Sequence, residues 1–207
     1  AIVFDADDTL WDCQSHFEAV ELRYCELLTE WCDAEEAATA LFNTERSNMP
    51  LLGYGSKAFT ISVIESALRM SKGKISQASL EELIQMGKQL LLMPCTPLLG
   101  VKETLEKLQG YKLVLLTKGE LQEQENKIKR SGLEHYFSHI EIVSNKDEST
   151  FRQLSDKLGI AAERMLSVGN SFKSDIAPAL SVGYHAIHIP FHVVWELEQT
   201  DEFEHPR

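Results

Sequence analysis

Ala1-Ile2-Val3-Phe4-Asp5-Ala6-Asp7-Asp8-Thr9 opens the chain. The apolar run at its start suits a strand buried on both faces of a parallel sheet. The acidic residues that follow then fall at the strand's carboxyl end, where open α/β sheets gather their ligands. Asp5, Asp7 and Asp8 crowd carboxylates into one short segment. Left bare they repel one another, and a cation or a proton relieves the repulsion. An oxygen-preferring divalent ion, Mg²⁺ above all, meets that demand. The competing reading is a solvated acidic turn, and the rest of the chain decides between the two.

Downstream, strand-like and helix-like segments alternate. Residues 112–117, 139–144, 165–169 and 184–189 read as buried strands. Helical patterns cover 99–109, 119–131, 148–158 and 172–181. Gly110, Gly132, Gly159 and Gly183 stand where helix C-caps are expected. Repeated βα units of this kind give an α/β fold, a Rossmann-like parallel sheet with helices on both faces.

Residues 12–95 differ. They carry helical patterning over 15–31, 34–46, 57–70 and 79–92, a loop at 49–56, and no convincing strand. The expected organisation is therefore a core of residues 1–11 and 96–207, interrupted by a helical insertion at 12–95. Pro94 and Pro97 mark the return. The acidic stretch from Glu196 onward reads as a surface tail.

The bulk properties exclude some roles. At 207 residues and 43% hydrophobic content there is material for a sizeable core. A net charge of -12 argues against general binding to nucleic acid or anionic membranes. It leaves an anionic substrate open, because a few local cations can dominate a cleft. Cys13, Cys25, Cys32 and Cys95 form no CxxC pair and no zinc spacing. Reduced, mostly buried thiols of a cytoplasmic protein are the expectation. No signal peptide or membrane-length apolar run is apparent.

Each strand end carries a useful polar group. Asp5 ends the first strand, Thr117-Lys118-Gly119 the second, Lys146 follows the third, and Gly169-Asn170-Ser171 through Asp175 follows the fourth. A parallel sheet brings these ends to one edge. A nucleophile, an acid, a metal site and a phosphate-neutralising cation can all be drawn from that set.

These residues, in this order, resemble the haloacid dehalogenase superfamily of phosphohydrolases over essentially the whole chain. Asp5 to Thr9 looks like the first motif, Thr117 the second, Lys146 the third and Gly169 to Asp175 the fourth. The resemblance implies a helical cap inserted after the first motif, where residues 12–95 lie. It implies that Asp5 attacks phosphorus to form an aspartyl-phosphate, and that Asp7 is the general acid and base. Thr117 would hydrogen-bond a phosphoryl oxygen, and Lys146 would balance the negative charge. Mg²⁺ would be held by Asp5, the Asp7 carbonyl and Asn170, with Asp175 beside them. The family often has Asp where Asn170 stands, so one negative charge is missing here.

Lesser candidates follow. Tyr54 and Lys57 lie in a cap loop of the kind that reads a leaving group; a plain helix–helix turn is the alternative. Lys118 is a candidate second cation for the phosphate or a surface residue. Lys57 and Lys72 are expected to be solvated rather than Schiff-base lysines. Trp11 is expected to pack, with shaping of the cleft mouth as the other possibility. His188 and His192 are expected to pack or lie at the surface, since acid and nucleophile are already assigned.

The expected function is Mg²⁺-dependent hydrolysis of a phosphomonoester of a small metabolite. Dehalogenation is disfavoured, because family dehalogenases lack an acid at the position of Asp7. Phosphoryl transfer between positions of a sugar, or a non-catalytic phospho-ligand module, are the rivals. Oligomeric state is not legible.

Overall fold

The computed structural model describes residues 1–201 and 203–206. The chain forms two compact units, Ala1–Gln14 with Pro94–Arg207, and Ser15–Met93. Among the described residues no helix is long and apolar enough to cross a membrane.

The first unit is built on five parallel strands: β1 (Ile2–Phe4), β2 (Leu113–Lys118), β3 (His139–Val143), β4 (Leu166–Gly169) and β5 (His185–His188). Their order across the sheet is β3-β2-β1-β4-β5. The opening strand is thus central, with Ile2 opposite both Leu113 and Leu166. Every residue of β1 is buried, as its unbroken apolar run requires. Val3, Val114, Leu116, Phe151, Leu154, Met165 and Tyr184 form the core on one face. The Tyr184 hydroxyl is satisfied there, donating to the Phe151 carbonyl at 2.8 Å beside Ser155.

The edges differ from the centre. β3 is half-buried throughout. Its Glu141 meets Lys157 at 2.6 Å and His139 at 2.7 Å. Charges on an edge strand discourage pairing with another chain.

Helices α5 (Val101–Lys107), α6 (Leu121–Ser131), α7 (Glu148–Leu158) and α8 (Ala177–Ser181) join the strands. Gly132 and Gly159 close α6 and α7 in the left-handed conformation. Gly110 does not cap: α5 ends at Lys107 with Leu108 following in its place. The expected helix over 172–181 is divided. A wide π-type turn at Phe172–Ile176 precedes α8. Its extra residue per turn turns Asp175 back beneath the end of β4, where Asp175 Oδ2 accepts from the Ser171 N–H at 3.0 Å.

The second unit holds the rest of α1 (Gln14–Leu27), then α2 (Ala34–Leu52), α3 (Ser56–Met70) and α4 (Gln77–Leu90). Asp33 and Glu36 form a reciprocal capping box at the start of α2, which contributes about 1 kcal/mol. The sequence expectation ended this helix at 46, but it runs on through Pro50. Proline removes one helical N–H, and the carbonyl it leaves belongs to exposed Arg46, which water can serve. Gly53 then closes the helix, its N–H donating to the Met49 carbonyl at 3.0 Å. Gly87 of α4 lies so close to α3 that a β-carbon would sit 2.1 Å from the Thr60 hydroxyl. Buried Tyr24 donates to or accepts from Ser66 at 2.7 Å.

Candidate active site

The acidic opening segment resolves its repulsion by sending each carboxylate to a different partner. Asp8 takes a positive φ of 63° and accepts from the backbone N–H groups of Cys13 and Gln14 at 2.8 and 2.9 Å. It braces the turn, and burial pushes its carboxyl up to about 6. Asp5 and Asp7 are left for chemistry.

Asp5 is buried at the end of β1. One oxygen meets the Lys146 ammonium, and the other accepts from the Thr9 hydroxyl at 2.9 Å. Lys146 also reaches Asp175 Oδ1 at 2.7 Å. Lys146 stands inward because its loop is braced. Asp147 caps α7 by accepting from the Thr150 N–H at 3.0 Å, and the Thr150 hydroxyl donates to the Asn145 carbonyl at 2.9 Å. Burial opposes the charge on Lys146, but Asp175 and Asp5 outweigh it and hold the ammonium firmly protonated. For Asp5 the balance falls the other way. Burial and the nearby Asp175 push its carboxyl up to about 7, against the pull of Lys146. One lysine does not neutralise two buried carboxylates.

Asp7 points elsewhere. Trp11 Nε1 donates to Asp7 Oδ1 at 2.8 Å, and Gln124 Nε2 donates to Asp7 Oδ2 at 3.0 Å. The Lys127 ammonium lies 3.2 and 3.1 Å from the two oxygens. Burial works against ionisation, yet Lys127 and these donors keep the Asp7 carboxyl below the usual range. Trp11 is fully buried, as expected, and adds this hydrogen bond to its packing.

Thr117 is buried at the end of β2 and accepts from Gln124 Nε2 at 2.6 Å. Its own proton stays available for donation. Gly119 beside it has φ 156°, and a β-carbon there would meet the Gln124 side chain at 2.9 Å. Gly169 has a stricter reason: a β-carbon would lie 2.4 Å from the Asp175 carboxyl.

Asn170 joins the group through Thr9. Its N–H donates to Thr9 Oγ1 at 3.0 Å, and its Oδ1 lies 3.2 Å from the same hydroxyl. His188 Nε2 lies 3.0 Å from the Asn170 carbonyl, bracing this loop while its ring packs edge-on against Phe172. His192 is exposed.

Lys118 turns toward the fourth-strand loop. Its ammonium meets Glu198 at 2.5 Å and Ser174 at 3.0 Å. Tyr54 and Lys57 belong to the second unit, Tyr54 in the turn after α2 and Lys57, exposed, in the first turn of α3. Lys72 is exposed in the turn after α3. Cys13 is buried, and burial pushes its thiol up, which makes it a poor nucleophile.

Asp5, Thr9, Lys146, Asn170 and Asp175 therefore form one linked cluster, and Asp7, Thr117, Gln124 and Lys127 an adjoining one. Gln124, Lys127 and Glu198 escaped the sequence reading. The first two had a signal. Gln124, Lys127 and Ser131 recur at helical spacing on α6, and this polar face is buried.

An oxygen-seeking cation fits this donor set. The ligands on offer are carboxylate, amide and carbonyl oxygens, and the uncompensated charge at Asp5 and Asp175 calls for a positive partner. Among the described residues no three His, Cys, Asp or Glu side chains converge as a metal cage. A site here relies on Asn170 and a backbone carbonyl as well as the carboxylates.

Comparison with known proteins places the chain in a family. The haloacid dehalogenase-like hydrolase family matches residues 1–183. N-acylneuraminate-9-phosphatase of Rattus norvegicus is 26% identical over 198 residues, covering 90% of this chain and 80% of its own. A haloacid dehalogenase-like family hydrolase from Xanthomonas campestris superposes with a TM-score of 0.87 at 32% identity, covering 99% of this chain and 85% of that one. The L-2-haloacid dehalogenase of Xanthobacter autotrophicus shares the fold at 19% identity, with a TM-score of 0.61 over 91% of this chain and 76% of its own. With the family matched over residues 1–183, a stretch that holds β1 to β4 and Asp5, Thr117, Lys146, Asn170 and Asp175, this chain belongs to the haloacid dehalogenase-like hydrolases.

Proposed function

We propose that this hydrolase is a Mg²⁺-dependent phosphatase that cleaves a phosphomonoester of a small metabolite. The observation that carries the reading is the pairing of Asp5, held against Lys146 and Thr9, with a second carboxylate two residues on. An alkoxide leaving group needs protonation and a halide does not, so Asp7 favours phosphoryl over haloalkyl chemistry. The name of the rat relative, a phosphatase, points the same way.

In this reading Asp5 attacks phosphorus and becomes an aspartyl-phosphate. The Thr117 hydroxyl donates to a phosphoryl oxygen, and Lys146 offsets charge on nucleophile and phosphate. Asp7, kept ionised by Lys127, Gln124 and Trp11, is in the form that takes a proton from the water of the second step. To protonate the leaving oxygen in the first step Asp7 must first take up a proton from solvent, which loosening its contact with Lys127 favours, and it recovers that proton from the water of the second step. Asp5, Asn170, the Asp7 carbonyl and Asp175 are the residues that would hold Mg²⁺, which supplies positive charge to the phosphoryl oxygens and to Asp5. Residues 12–95 serve as the cap, with Tyr54 and Lys57 as candidates to read the leaving group. A cytoplasmic setting suits a small phosphorylated substrate.

A panel of phosphomonoesters with millimolar Mg²⁺, run beside a panel of haloacids, tests the proposal. Phosphate release without halide release is expected. Halide release alone would replace it with dehalogenation, and turnover that isomerises a sugar phosphate would make the enzyme a mutase.

A further inference from the structure

The stretch after Trp195, which reads as a solvated acidic tail, contains a side chain that is not solvated. Glu198 lies on a short turn, Glu196–Glu198, and its side chain is only 12% exposed. Its Oε1 accepts from the Lys118 ammonium at 2.5 Å. Its Oε2 accepts from the Ser171 hydroxyl at 2.6 Å and the Ser174 hydroxyl at 2.5 Å. Lys118 donates to Ser174 as well, at 3.0 Å, which closes a ring of polar contacts.

The surrounding segment is fastened to the same place. The Lys173 ammonium donates to the Leu197 carbonyl at 2.7 Å. Phe203 stacks edge-on against Phe172, with ring centres 4.9 Å apart. Every one of these anchors lies in the run from Ser171 to Ser174, between Asn170 and Asp175, except Lys118, which directly follows Thr117.

This placement matters because β2 and β4 are not neighbours. They flank β1 on opposite sides. No ladder hydrogen bond therefore sets the distance between Thr117 at one strand end and the Asn170–Asp175 loop at the other. The Lys118–Glu198–Ser171–Ser174 ring bridges that gap. This largely buried ion pair, with both serines bonded to it, has the geometry to fix the register of the two strand ends.

We propose that Glu198 is a positioning residue of the active site, and that the C-terminal segment holds the Asn170–Asp175 loop in register with Thr117. The proposal rests on the phosphatase reading for its kinetic consequence and on geometry alone for its structural one. It also gives Lys118 a role as the other half of the tie, with its charge met by Glu198.

The test uses the full chain with Glu198→Ala and Glu198→Gln, p-nitrophenyl phosphate as substrate, and hydrogen exchange on the same samples. Glu198→Ala is expected to lower kcat by about 10- to 100-fold, as loss of a supporting contact commonly does. KM should change by less than about threefold, because Thr117 and Lys146 remain. Glu198→Gln keeps an oxygen for the serines and loses the charge, so it should fall between. Exchange at residues 170–176 should quicken in Glu198→Ala while the strands stay protected. An unchanged kcat in folded Glu198→Ala overturns the proposal and leaves a simple surface staple. A rise in kcat overturns it in favour of an inhibitory latch. If the wild-type chain turns over no phosphomonoester, the phosphatase reading fails by itself. Exchange then still decides, and unaltered protection at 170–176 rejects the tie.

Discussion

Lys127 on α6 places its ammonium 3.1 Å from Asp7 Oδ2, across a separation of 120 residues. Its side chain is 3% exposed, and Glu123 one helical turn earlier lies 3.5 Å away. A lysine this buried survives only with partners. It orients the carboxylate to which general acid–base work is assigned, and it ties α6 to the loop after β1.

Lys127→Met should therefore be costly in two ways. Breaking a buried ion pair by removing one member costs about 3 to 5 kcal/mol, discounted here because the Asp7 side chain is 23% exposed. We expect a loss of about 2 to 3 kcal/mol in chemical denaturation. The fall in kcat should exceed that of Gln124→Leu, since Gln124 contributes a neutral hydrogen bond. Equal kcat for wild type and Lys127→Met would show that Asp7 needs no such support.

Gly169→Ala tests the close approach under β4. The added methyl would meet the Asp175 carboxyl, so either Asp175 or the strand must shift. Overpacking of this kind costs about 1 to 3 kcal/mol. Activity should fall with it, since Asp175 shares Lys146 with Asp5. A denaturation midpoint and a kcat both at the wild-type level would contradict the packing described.

Asn170→Asp probes the missing charge. A third carboxylate near Asp5, whose carboxyl already stands at about 7, should lower the melting temperature in the presence of a chelator. Millimolar Mg²⁺ should reverse that, and should stabilise the variant more than wild type, because a ligand that binds only the folded state raises its stability by mass action. A melting temperature indifferent to Mg²⁺ in both proteins would argue against a cation at this cluster.

Glu45 gives a pH dependence that belongs to the second unit. It is buried in α2 of the second unit, and burial, reinforced by Glu21, pushes its carboxyl up to about 8 from its ordinary 4.5. The folded state thus holds a proton that the unfolded state releases. Stability from this group is complete below about pH 4.5 and drains away as pH rises toward 8. At about 1.4 kcal/mol per unit the bound is near 5 kcal/mol, and relaxation of a surface helix should leave about 2. Glu45→Gln should flatten this slope and stabilise the protein at pH 8. Identical slopes for variant and wild type between pH 5 and 8, measured by denaturation, would rule it out.

Much of the fold was legible because parallel sheets announce themselves. The unbroken apolar runs at Ala1–Phe4 and Leu113–Leu116 have few other uses, and the polar residue closing each strand falls on one edge by topology. Asp5, Thr117, Lys146 and Asn170 are singled out in that way as candidates. Local propensity misled at Pro50, where a capped helix simply continued, and at Gly110, which lies beyond its helix. What stayed hidden was long-range pairing. Nothing in an acidic terminal run distinguishes Glu198 from its solvated neighbours, because its partner Lys118 is 80 residues away. Lys127 was hidden less completely. The polar face of α6 is visible as a pattern, but a polar stripe usually faces water, and it is the half-buried carboxylate of Asp7 that this one meets.

The central claim is that Asp5 is the nucleophile. Rapid quenching during turnover of a phosphomonoester, reduction of any acyl-phosphate with borohydride, and mass spectrometry of the amino-terminal peptide address it directly. The account predicts modification at Asp5, absent in Asp5→Asn, which should remain folded. Turnover with no label on Asp5, or with label on another residue, would contradict it.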